Sequence, residues 1–128
     1  MPKTQARTAV VASASNAAGA TTRGRLDCSA VDGGILTFRI TNGTAPTAQC
    51  EARVMVAHRD TTMPAAGAEG TGALDWKQLF FIGGGTTASA STRGHYVFGP
   101  EVAYLQIEFT GNTGQAVTVE AHATTYTY

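Results

Sequence analysis

"AYLQIEFTGNTGQAVTVEAHATTY", residues 103–126, decides the fold class. Ala103, Leu105, Ile107 and Phe109 occupy alternate positions, and Val117, Val119, Ala121 and Ala123 do the same. Tyr104, Gln106 and Glu108 fill the gaps in the first run, and Thr118, Glu120 and His122 fill those in the second. A period of two is the signature of an extended strand with one face buried, whereas a helix repeats every 3.6 residues. The polar "TGNTGQ" between the two runs is a Gly/Asn turn, and it predicts that they pair as an antiparallel hairpin.

The same pattern continues upstream. "GILTFRITNG" places Leu36, Phe38 and Ile40 on one face and Thr37, Arg39 and Thr41 on the other, ending at an Asn-Gly turn. "QCEARVMVAHR" sets Cys50, Ala52, Val54, Val56 and His58 against Glu51, Arg53, Met55 and Ala57. "TRGRLDCSAV", "WKQLFFI", "HYVFGP" and "TAVVASA" bring the total to about eight short strands, with turn signals between them. The expected architecture is all-β, a single antiparallel β-sandwich of jelly-roll-like form. Residues 1–20 are read as an extended N-terminal arm and residues 21–128 as the sandwich domain. Residues 60–75, rich in Ala and Gly, are too long for a simple turn and read as an interfacial or functional loop.

Composition narrows the function. The chain has 128 residues, enough for one domain, and its nine basic and nine acidic residues cancel. That balance gives no global attraction to nucleic acid or to an anionic membrane. No apolar run approaches the roughly 20 residues that span a bilayer, and the opening segment lacks the apolar centre of a secretion signal. Only 14% of residues are charged, which suits a surface that lies against other proteins. Cys28 and Cys50 fall in predicted strands outside any C-x-x-C pair, and read as buried free thiols with a disulfide as the alternative.

Motifs for catalysis are missing. "GGGTTASASTRG", residues 83–94, has no lysine and is followed by a strand, so it is a small-residue connection and not a phosphate-binding loop. His58, His95 and His122 lack metal-ligand spacing, although His58 and His122 at strand ends have the chance to approach each other or Asp60. No G-x-S-x-G elbow occurs, and the scattered carboxylates name no acid pair. The expectation is a non-enzyme with no catalytic residues, no cofactor and no metal.

The half of the chain from residue 75 to 128 carries a resemblance. Its order is aromatic strand, glycine-rich loop, "GPEVAYLQIE" strand and "GNTGQAVTVEA" strand. It resembles the small virion proteins of tailed bacteriophages, of the capsid decoration or cement type. The resemblance implies a jelly-roll-like β-sandwich on the outside of a capsid, made in the host cytoplasm. Its partners would be the major capsid protein and further copies of itself, as dimer or trimer. Contacts to the shell or between copies are expected at Lys3, Arg7, Val10, Met63, Trp76, Arg93, Tyr126 and Tyr128. Other readings are a receptor- or carbohydrate-binding module, and a head-tail connector or tail component.

Overall fold

The structure, a computed structural model, describes residues 2–58, 60–68 and 75–128. Eight strands follow one another: β1 (Thr4–Asn16), β2 (Thr22–Asp27), β3 (Gly33–Thr41), β4 (Glu51–Ala57), β5 (Lys77–Gly83), β6 (Ser91–Phe98), β7 (Tyr104–Thr110) and β8 (Val117–Thr127). There is no helix among the described residues.

The strands form two four-stranded antiparallel sheets, β1-β8-β3-β6 and β2-β7-β4-β5. Pairings nest about the middle of the chain: β4 with β5, β3 with β6, β2 with β7, β1 with β8. Two more, β3 with β8 and β4 with β7, stitch these nested pairs into the sheets. A long folded ribbon rolled into a sandwich gives this order, which is the jelly-roll arrangement.

Inner-face residues are the ones that the alternation predicts. Leu36, Phe38 and Ile40 of β3 meet Leu105, Ile107 and Phe109 of β7, Val117, Val119 and Ala121 of β8, and Ala52 and Val54 of β4. Burial of these side chains, at roughly 25 cal/mol per Å² of apolar area, is the main force holding the sheets together. Phe80 meets Tyr96 edge-on at 6.0 Å and closes the side of the sandwich between β5 and β6. On the opposite side, Gly24 of β2 lies so close to β1 that a Cβ would collide with the Val10 carbonyl oxygen.

The predicted hairpin does not form. β7 and β8 lie in opposite sheets, and the six residues between them arch across the sandwich. Asn112 sets that arch. It is fully buried, and its Nδ2 donates to the carbonyls of Asn16 at 2.9 Å, Gln115 at 3.0 Å and Ala17 at 3.3 Å. An amide group turned inward to serve three backbone carbonyls holds the arch in place, where a hairpin turn would leave it in water.

The glycine-rich stretch is a second arch, from β5 in one sheet to β6 in the other. Asn42 plays the same part here, donating to Gly84 O at 3.1 Å, Gly85 O at 3.2 Å and Thr87 O at 3.0 Å. Gly85 has φ +67°, a left-handed conformation that favours glycine. Residues 4–16, expected as part of an extended arm, are instead the edge strand β1, which pairs with β8 from Thr4↔Thr127 to Asn16↔Val117. Its paired backbone groups are satisfied within the sandwich, so these residues are part of the sheet and not an arm.

Candidate protein-contact face

The two sheets differ in what covers their outer faces. On the β2-β7-β4-β5 sheet, Tyr104, Gln106 and Glu108 point outward as predicted, yet all three are buried. Residues 60–68 lie over them. Gly67 N donates to Gln106 Oε1 at 2.9 Å, the Tyr104 hydroxyl donates to Thr61 O at 3.1 Å, and Arg25 Nη1 donates to Pro64 O at 3.0 Å. Met55, Ala57, Trp76 and Tyr104 form a second small core beneath this cover, flanked by Met63 and Ala68. Both glutamates on this face are paired with arginines. Glu108 accepts from Arg23 Nε at 2.7 Å and lies 3.9 Å from Arg53 Nη1, which in turn shares its guanidinium with Glu51 at 3.2 Å.

The outer face of the other sheet is open. Register places its side chains in rows across β8, β3 and β6: Glu120–Arg39–Arg93, then His122–Thr37–His95, then Thr124–Ile35–Val97. Rows are separated by two residues along the strand, about 6.7 Å. A shallow concavity of about 580 Å³ lies over the first two rows, with Ile35 at its margin and Phe38 and Gly94 contributing to its lining. Among the described residues that line it, Glu120 is the one carboxylate. Its Oε1 lies 2.9 Å from Arg39 Nη2 and its Oε2 lies 3.5 Å from His122 Nε2. Among the described residues no carboxylate lies within ion-pair reach of Arg93, which stands directly across from Arg39. Like charges opposite one another on paired strands repel, so this face carries an excess of positive charge beside exposed apolar Val97, at 67% exposure.

The contact residues expected from the sequence scatter over the molecule. Arg93 lines the open concavity. Lys3 Nζ sits 5.7 Å from the centre of the Tyr126 ring, and Tyr126 meets Tyr128 edge-on at 5.6 Å, so these three cluster at one end of β8. Arg7 is exposed on β1, opposite Thr124. Val10 is half-buried against the main core. Trp76 is 3% exposed and its Nε1 donates to Ala65 O at 2.9 Å, so it is no outer contact. Its indole is consumed, along with Met63, in holding residues 60–68 onto the sheet. His58 follows β4 of one sheet and His122 lies in β8 of the other, and His122 has Glu120 as its near partner.

Sequence reasoning overlooks Arg39, Glu120, Ile35 and Val97 as members of one surface. Their signal is present as outward positions of alternating strands, but their grouping depends on strand order. Among the described residues no three His, Cys, Asp or Glu side chains converge on a metal position. Cys28 and Cys50 are free and buried, and burial foremost pushes both thiols up to about 11.

No protein-family model and no curated protein matches the sequence. Solved structures share its fold. The chain is similar to the structure of infectious bursal disease virus, Gx strain, with a TM-score of 0.54 and 9% identity, covering 98% of this chain and 32% of that one. Similarity to the VP2 subviral particle of the same virus has a TM-score of 0.53 at 8% identity, over 98% of this chain and 33% of that one. The K3 cleaved adhesin domain of Lys-gingipain from Porphyromonas gingivalis gives 0.55 at 13% identity, over 88% of this chain and 72% of that one. The chain thus spans about a third of the viral chains it resembles, and at these identities the likeness is one of fold.

Proposed function

We propose that this chain is a structural virion protein that binds the outside of a bacteriophage capsid and cements neighbouring major capsid protein subunits, as a dimer or trimer and without a catalytic step. The observation that carries this reading is the inequality of the two outer faces. One is sealed by the chain's own residues 60–68, while the other is open, carries an arginine with no carboxylate in reach among the described residues, and is edged with apolar side chains. A domain that acts by lying against a larger protein surface needs one such face, and a rigid sandwich behind it. Jelly rolls occur widely in capsid proteins as well as in lectins, so the fold supports the reading without selecting it.

A sugar-binding module would offer an aromatic ring as a stacking platform. Among the described residues, the lining of the open concavity includes no Trp or Tyr, its one Phe, Phe38, is a core side chain only 4% exposed, and the exposed Phe81 and Tyr128 lie outside it. This favours a protein partner over a glycan.

Quantitative mass spectrometry of purified particles from the producing culture tests the proposal. Hundreds of copies per particle are expected on a decorated shell. A handful of copies would move the protein to the neck or tail, and absence from particles would reject a virion role.

A further inference from the structure

Each sheet has two edge strands, and the four differ in how their edges are treated. Pairing of β1 with β8 is interrupted by two register shifts, and pairing of β4 with β5 contains one. Bulges of this kind twist an edge away from further pairing. β2 lies against β1, with Gly24 touching the Val10 carbonyl. β6 has neither a register shift nor a strand backbone against it, since β5 meets it through the Phe80 and Ile82 side chains on its inner face. It pairs with β3 over eight consecutive residues without a shift, and contains no proline. Among the described residues, no backbone hydrogen bond from a loop or turn reaches Ser91–Phe98. Its outward side chains, Ser91, Arg93, His95 and Val97, are all exposed.

From this geometry we infer that β6 is a docking edge that accepts one extended, acidic segment of a partner protein as a ninth strand. Backbone groups on the free edge of β6 supply the hydrogen bonds, and its outward side chains read the sequence. An antiparallel guest strand brings alternate residues beside Val97, His95 and Arg93 in turn. The matching pattern, from its N-terminus, is apolar, any, hydrogen-bonding, any, acidic. Charge complementarity selects the guest. Among the described residues Arg93 lacks a carboxylate partner, and it faces Arg39, so an incoming Asp or Glu relieves a like-charge pair and gains a charge-assisted bond. A second copy of β6 fails this requirement, because the outward row of β6 contains no acidic residue. The inference rests on the proposed role in binding other proteins and names the chemistry of the contact. A peptide experiment tests it without particles, so its failure would leave the copy-number result standing, and the converse.

The experiment uses the full chain labelled with nitrogen-15 and the acetylated, amidated heptapeptide Thr-Val-Thr-Thr-Thr-Glu-Thr. Amide resonances of β6, and to a smaller degree β3, should shift on titration to millimolar peptide. Arg93→Glu should weaken binding by about tenfold, and the same substitution should strengthen binding of a peptide carrying Lys in place of Glu. Arg93 is exposed, and an unchanged spectrum elsewhere verifies that the variant is folded. Absence of shifts, shifts confined to other strands, or equal response to the Glu and Lys peptides overturns the inference. So does concentration-dependent shifting of β6 without peptide, which would assign the edge to a second copy. Reproduction of the shifts by sodium acetate alone would reduce the site to a carboxylate contact, and likewise overturns strand addition.

Discussion

Asn16 and Asn112, 96 positions apart in the chain, are joined side chain to side chain at 2.6 Å. Asn16 ends β1 and also accepts from the Thr22 hydroxyl at 2.7 Å, at the start of β2. One buried polar cluster therefore ties the β1–β2 turn to the β7–β8 arch. Its members lie in an interior where an unmet carbonyl or amide is costly.

Asn112→Ala removes the donor to three carbonyls and leaves Asn16 Nδ2 without its side-chain acceptor. The expected loss is about 3 kcal/mol, as befits buried groups left unpaired. Urea unfolding monitored by far-UV circular dichroism measures it. The neighbouring Thr113 is exposed, so Thr113→Ala serves as the control and should change stability by less than about 0.5 kcal/mol.

Gly94 is set by the core and not by backbone freedom. A Cβ there would collide with the Phe38 ring and come within 2.6 Å of Ile82 Cδ1. Gly94→Ala should destabilise by about 1–3 kcal/mol, the usual cost of overpacking. Combining it with Phe38→Leu should recover part of the loss, as read from the midpoints of the single and double variants.

The two thiols make stability sensitive to alkali. Folding raises each from 9.0 to about 11, chiefly through burial. Below pH 9 the thiols are protonated in both states and stability is undiminished. Between pH 9 and 11 the unfolded chain loses these protons first, so stability falls, by up to about 1.4 kcal/mol per pH unit for each thiol. A Cys28→Ala, Cys50→Ala double variant should show a flatter decline. At about pH 8, below the ordinary thiol range, neither should react with a chromogenic disulfide reagent until the protein unfolds.

Trp76 is the sole tryptophan, and it reports on the cover over one sheet in preference to the main core. Residues 60–68 are held by a few hydrogen bonds and a small cluster, so they should detach before the sandwich unfolds. In a urea titration the red shift of tryptophan emission is expected at lower denaturant than the loss of far-UV circular dichroism. Coincident transitions would show that cover and sandwich form one cooperative unit.

Much of the fold is legible in the residues. Alternation in "GILTFRITNG" and "QAVTVEAHATTY" assigns the inner side chains of β3 and β8 correctly, because one-sided burial imposes that pattern. It does not name partners. A Gly/Asn stretch such as residues 111–116 suits a hairpin and an arch equally, and the buried side chain of Asn112, which decides between them, depends on Asn16 far away in the chain. Nor does alternation distinguish water from a covering loop: Tyr104, Gln106 and Glu108 alternate with the core residues of β7 on its other face and are buried all the same. The contact surface is less visible still. The sequence marks Arg93 alone, whereas Arg39 and Glu120 join it only once β8, β3 and β6 are set side by side.

Strand order also bears on how the chain is made. β8 is the last of the eight strands to be synthesised, yet it lies inside its sheet, bonded to β1 on one side and β3 on the other. β1, the earliest of these eight, has no pairing partner except β8 among the described strands of its sheet. The nascent chain must therefore carry an unpaired β1 through the synthesis of everything between, exposed to chaperones and to neighbouring chains on the same message. A stop codon or protease cut ahead of β8 would not trim an edge. It would remove the strand around which half of the sandwich is assembled.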